Sequence, residues 1–207
     1  MRGFESLRAY YMQTLFQGPI GPVSFMQLPH FTYHPDPIGT GSITQSNAAC
    51  VVCGKARGFI YSGPVYSASD EELDDAICPW CIADGSAHER FDAAFTDAAG
   101  VGGYGEWEDV PEAVVEEVAY CTPGFTGWQQ ERWFTHCGDG AMFLGVVGRS
   151  ELRERGQDAI EAIKEASEMD EEEWDDFFKH LDKDGSPAAY LFQCRHCGKF
   201  GGYIDMD

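Results

Sequence analysis

Two stretches of this chain, CVVCGKARGFI from Cys50 to Ile60 and CRHCGKFGGYI from Cys194 to Ile204, repeat one pattern. Each reads Cys, two residues, Cys-Gly-Lys, two residues, Gly, an aromatic residue and Ile. A Cys-x-x-Cys-Gly turn aims both sulfurs the same way, because glycine accepts the positive φ that the turn needs after the second thiol. Zinc prefers thiolates arranged tetrahedrally, and structural sites draw two such pairs from separate turns. A third pair, Cys78 and Cys81 in CPWC, follows the first with 24 residues between them, somewhat more than the roughly 15–20 of simple ribbons. The intervening RGFIYSGPVYS accounts for the excess, since its β-branched and aromatic residues around Ser62-Gly63-Pro64 predict two short strands and a turn. Cys78 and Cys81 sit at a predicted helix start, where the helix dipole favours thiolate charge. Knuckle, hairpin, then a pair on a helix N-terminus is the order of a treble-clef or ribbon-like zinc finger. Cys50, Cys53, Cys78 and Cys81 are therefore expected to hold one zinc ion in a closed site. A thioredoxin-type redox role for CPWC is the rival, but such a pair follows a βαβ strand, and none is visible before Cys78.

The later knuckle lacks an obvious partner pair. Cys194 and Cys197 could be completed from Cys121, His136, Cys137, His180 or His196. Adjacent residues diverge on a strand or a helix, so His136 and Cys137 are not expected on one metal together. The preferred set is Cys194, Cys197 and Cys137, with the fourth ligand open between His136 and Cys121. Gly198 should supply the positive φ, and Phe200 and Tyr203 should bury against the acidic helices. Eight cysteines without an apparent export signal favour reduced thiols over disulfides, hence a cytoplasmic setting.

Composition narrows the partners. The chain has 207 residues with 35 acidic against 14 basic, a formal net charge of −21. So negative a surface repels nucleic acid and anionic lipid and suits a basic protein partner, or simply solubility. No apolar run approaches the roughly 20 residues of a membrane helix. Residues 1–25 are read as an N-terminal extension ahead of a natural start at Met26 or as a vector-derived remnant, because LFQGP (Leu15–Pro19) resembles a viral protease site used in expression vectors.

The remaining elements read as an α+β fold of short antiparallel strands and acidic helices in one domain over 26–207. The zinc module should span about 45–98, the acidic helices about 150–183 and the terminal knuckle hairpin about 188–207. A helix is predicted over PEAVVEEVAY behind Pro111, and AMFLGVVG reads as a buried strand. Residues 151–184 carry 14 acidic and 5 basic side chains. Ile160, Ile163, Trp174, Phe177, Phe178 and Leu181 recur there at helical spacing, which predicts two amphipathic helices broken near Asp170. His34 in YHPDP is read as a turn residue, and Trp128 and Trp133 as core. No Ser-His-Asp order, phosphate-binding glycine loop or His-Glu-x-x-His helix is present.

The stretches LPHFTYHPDP, YSGPVYS, CPWCIADGSA, FDAAFTD, TPGFTGWQQERW, HCGDG and CRHCGK occur in order from Leu28 to Lys199. Through them the chain resembles the CbrC family, bacterial proteins associated by name with tolerance of a DNase colicin. The resemblance implies a bacterial cytosolic protein tied to toxin tolerance, and with the charge it suggests a non-enzymatic zinc protein that binds a basic toxin. Cys121 stands where that family's pattern has a non-cysteine, which tilts the second site toward Cys137. The alternatives are a hydrolytic enzyme, with an open three-ligand zinc at the second site and Asp139 as base, or a zinc-dependent regulator of stress response.

Overall fold

The computed structural model describes residues 27–206, so the expected extension over residues 1–25 lies outside the described residues. In chain order the elements are β1 (Ile43–Gln45), β2 (Phe59–Tyr61), α1 (Pro79–Ala83), α2 (Ser86–Phe91), α3 (Glu112–Cys121), β3 (Thr135–His136), β4 (Asp139–Gly140) and β5 (Met142–Val147). They continue with α4 (Arg149–Arg155), α5 (Gln157–Ser167), α6 (Glu171–His180), β6 (Ala188–Gln193) and β7 (Phe200–Asp205). Among the described residues the strands form small antiparallel sheets, β1-β2, β3-β4 and β5-β6-β7, so the fold is α+β.

The hairpin expected across Ser62-Gly63-Pro64 does not form. β2 pairs instead with β1, on the other side of the first knuckle, with Ile43 opposite Tyr61 and Gln45 opposite Phe59. The chain after β2 folds back over its own tyrosine. The Tyr61 hydroxyl donates to the Pro64 carbonyl at 2.9 Å, and a Cβ on Gly63 would lie 2.5 Å from that hydroxyl. Tyr66 makes only an isolated bridge to Ala94. The Cys50–Cys53 knuckle thus sits inside the β1–β2 hairpin. Ile43, Ile60, Tyr61, Ile77, Ile82 and Phe95 bury around it.

β6 is the central strand of the three-stranded sheet, and it is apolar on both faces, as its unbroken AAYLF requires. Tyr190 and Phe192 join Phe125, Trp133, Phe143 and Tyr203 in an aromatic core on one face. Trp133 is fully buried there, and its indole N–H donates to the Ala141 carbonyl at 2.9 Å. Ala189 and Leu191 face Leu152, Ile163 and Trp174 of the acidic helices. All six apolar positions expected on those helices join this second core. The apolar spacing predicts two helices where the structure has three. Gly156, at φ 100°, separates α4 from α5. The break near Asp170 occurs as expected: its carboxylate caps α6 by accepting from the Glu172 and Glu173 N–H groups at 2.9 Å each. The helix behind Pro111 forms as α3.

Two side chains depart from their expected surroundings. Trp128 is 57% exposed, not core. The buried Asp205 carboxylate accepts the Trp128 and Gln129 backbone N–H groups at 2.8 and 2.9 Å and turns their side chains outward. His34 is fully buried. Its Nδ1 lies 2.7 Å from the Pro123 carbonyl and its Nε2 2.7 Å from the Thr40 hydroxyl. A carbonyl only accepts, so Nδ1 carries the proton and Nε2 accepts from Thr40. Burial holds the neutral ring in place and lowers its pKa to about 4.

Candidate metal centres

The two knuckles share one backbone geometry. Cys50 N–H donates to the Lys55 carbonyl at 3.1 Å and Gly54 N–H to the Cys50 carbonyl at 2.7 Å. In the later copy Cys194 N–H donates to Lys199 at 2.8 Å and Gly198 N–H to Cys194 at 3.0 Å. Gly54 and Gly198 have φ of 69° and 76°, the positive values expected of both. The sequence echo is therefore a structural one.

Around the first knuckle, Cys50, Cys53, Cys78 and Cys81 bring four sulfurs within 4.8 Å of one another. Cys50 to Cys81 and Cys53 to Cys78 are each 3.8 Å, and Cys78 to Cys81 is 3.6 Å. A metal–sulfur bond of about 2.3 Å in a tetrahedron sets adjacent sulfurs about 3.8 Å apart. The cluster has the dimensions of such a site. Cys50, Cys78 and Cys81 are buried, and Cys53 is half-buried. Cys78 lies at the N-cap of α1 with Pro79 in its first turn, so this short helix presents Cys78 and Cys81 on one side. A hydrogen bond from the Cys78 thiol draws Cys50 down to about 4, and the N–H groups of Cys53, Cys78 and Val52 assist against the cost of burial. Burial pushes Cys81 up to about 11.

The second cluster comprises His136, Cys137, Cys194 and Cys197, again with one donor atom each within 4.8 Å. Here the expectation that His136 and Cys137 diverge fails, and the reason is local. Cys137 and Gly138 form a two-residue turn between β3 and β4, with φ of 57° and 69°. Two left-handed residues make the tight hairpin turn that suits strand twist, and they swing the Cys137 thiol back beside the ring of its neighbour. Cys137 Sγ is 3.1 Å and Cys197 Sγ 3.5 Å from His136 Nδ1. A tetrahedral metal with one imidazole and thiolates places these atoms about 3.5 Å apart. Cys194 is buried, whereas Cys137 and Cys197 are exposed. Against the cost of its burial, the N–H groups of Cys197 and His196 lower the Cys194 thiol to about 6. Both clusters thus suit a metal ion, and each offers four protein donors.

The other candidates lie elsewhere. Cys121 ends α3, where burial and the nearby Glu117, Asp84 and Glu116 carboxylates raise its pKa; its sulfur is near Gly85, in the first module. His180 closes α6 and is exposed. His196 points from the knuckle to Asp139 at 2.8 Å. Asp139, the carboxylate considered as a catalytic base, bridges two loops. One oxygen accepts from the Tyr33 hydroxyl and the Gly140 N–H, each at 2.8 Å. The other is 2.8 Å from both the Arg195 guanidinium and His196 Nε2. It ties the β3–β4 turn to the Cys194–Cys197 loop, so both halves of the second cluster keep their register. Only an HCGDG reading that combined the turn and the carboxylate could have shown this from sequence.

The profile of the uncharacterised protein family UPF0167 matches residues 28–206. UPF0167 proteins of Mycobacterium bovis and Mycobacterium tuberculosis are each 50% identical to the chain over 185 residues, covering 87% of it and 94% of theirs. One from Pseudomonas aeruginosa is 41% identical over 180 residues, covering 87% of the chain and 97% of its own length. No solved structure matches. Among the described residues no helix is long and apolar enough to cross a membrane.

Proposed function

The chain belongs to the uncharacterised family UPF0167, and we propose that it is a non-enzymatic protein in which two zinc ions stiffen an acidic scaffold for binding a basic protein partner. The observation that carries this reading is the closed donor set of both clusters. Catalytic zinc keeps an open position beside three protein ligands, whereas four protein ligands mark a structural ion. Four thiolates in the first cluster, and three thiolates with one imidazole in the second, are both such sets. Zinc is the metal favoured by thiolate and imidazole donors at tetrahedral spacing. On this reading the first ion organises a ribbon-like finger, and the second pins the terminal hairpin to the β3–β4 turn. Metal ligation by seven cysteines, with no disulfide among the eight, accords with a reducing compartment such as the bacterial cytoplasm.

The partner's charge follows from the net −21, since complementary fields speed encounter. A DNase-type toxin is the partner that the CbrC resemblance implies. The test is capture of purified basic nuclease toxins on the immobilised, zinc-loaded protein at low salt. Binding that weakens with salt, and whose association rate falls when surface carboxylates are neutralised, is the expected result. A panel that yields no binding at low salt would refute the partner reading while leaving the metal sites standing.

A further inference from the structure

The loop that exposes Trp128 is held by unusual means. Asp205 is 3% exposed, and its carboxylate is spent on the Trp128 and Gln129 backbone N–H groups. Glu131 is 7% exposed and accepts from the hydroxyl of the partly exposed Tyr66 at 2.5 Å. The neighbouring loop is held just as firmly. Gly102 N–H donates to the Trp133 carbonyl at 3.0 Å, and Trp133 N–H to Gly100 at 2.8 Å. That second loop carries Tyr104 at φ 59°, a left-handed value that a tyrosine adopts only under constraint. Tyr104 is 47% exposed, and its hydroxyl and the Gln130 amide both reach one oxygen of Asp97, at 3.3 and 3.4 Å. Among the described residues, no lysine or arginine forms an ion pair with Asp97, Glu131 or Asp205. Three partly exposed aromatic rings therefore occupy adjoining, pinned loops with the half-buried Asp97, which no lysine or arginine pairs, while the buried Glu131 and Asp205 carboxylates hold those loops.

From this we infer that the Trp128 and Tyr104 loops form the contact surface for the basic partner, seating an arginine or lysine side chain against the exposed aromatic rings beside Asp97. The inference rests on the basic-partner reading and names where that partner docks. A cation over the face of an indole is attracted by the ring quadrupole, and a loop whose backbone is already pinned loses little backbone entropy when it is covered. Asp97 supplies the charge, and the pinned loops supply a geometry that the open acidic face of α6 lacks.

The probe is an arginine-rich peptide of about nine residues, titrated into zinc-loaded protein at low salt and followed through the Trp128 indole N–H signal. Three proteins are compared: wild type, Trp128→Ala, and a charge control with Glu172→Gln and Asp175→Asn on α6. Trp128 is exposed, so its alanine variant should melt at the wild-type temperature. The expected result is a shift centred on Trp128 and Tyr104, with affinity falling about tenfold in Trp128→Ala and less in the α6 control. Peptide binding that shifts α6 signals and leaves Trp128→Ala equal to wild type would overturn this surface and leave the basic-partner reading intact. No peptide binding to any of the three would overturn both.

Discussion

The two metal-ready clusters use the same knuckle in opposite settings. The first closes within a short piece of chain, Cys50 to Cys81, and three of its four sulfurs are buried in an apolar module that surrounds it. The second joins residues about twice as far apart in sequence, His136 to Cys197, and leaves two thiols exposed. One is the centre of a small core. The other is a clamp on the surface of a sheet whose core is already complete without it. An identical motif therefore does different structural work, depending on how much apolar surface encloses it.

The sharpest way to break that comparison is a matched pair of ligand substitutions. Cys81→Ser should cost on the order of 5 kcal/mol or more and unfold the first module, because metal binding there is folding free energy. Cys197→Ser should cost less, about 3 kcal/mol, the scale of losing one chain cross-link, and should loosen only the terminal hairpin. Thermal melts with amide exchange on both variants would check the ordering; equal losses would erase the distinction.

Acid provides a second contrast, because His34 belongs to neither cluster and packs edge-on against Phe143 of the aromatic core. Its pKa in the fold, about 4, lies below the ordinary histidine value. The unfolded chain thus takes up the proton first. The stability that the neutral ring supplies is fully present above about pH 6.5 and is lost as pH falls toward 4, about 3 kcal/mol at most. The His34 ring signals should stay fixed between about pH 8 and pH 5 in an NMR titration. A midpoint near the ordinary histidine value would contradict the buried hydrogen-bonded ring.

Smaller effects sharpen the second cluster alone. Asp139→Asn keeps the shape of the side chain but weakens its hold on Arg195 and His196. It should lower metal affinity at the second cluster about tenfold, as partners outside the ligand set do elsewhere, and leave the first unchanged in a competitive chelator titration. On a similar scale, and at both knuckles, Gly54→Ala and Gly198→Ala should each cost about 1–2 kcal/mol, the penalty of a side chain in the left-handed region. Urea melts of the two variants should give matching costs, since the backbone geometry of the knuckles matches.

The repeated knuckle is legible in sequence because its glycine, lysine and cysteine spacing encodes local hydrogen bonds. So are the acidic helices, whose apolar residues recur at helical spacing. What sequence hides depends on distant residues. β2 finds its partner across the knuckle because 43–45 closes over it, a pairing that local alternation cannot indicate. The alternation rule for strands sets His136 against Cys137, and it fails where Cys137-Gly138 makes a left-handed turn. Residue type alone assigns Trp128 to the core, yet it is held outward by Asp205, 77 residues away.

The central claim is that both clusters hold metal, and counting zinc tests it most directly. Elemental analysis of the purified chain should give two zinc atoms per protein, falling to one in Cys197→Ser with the first site retained. One zinc in both proteins would show that the second cluster binds none, and none in either would contradict the account at both sites.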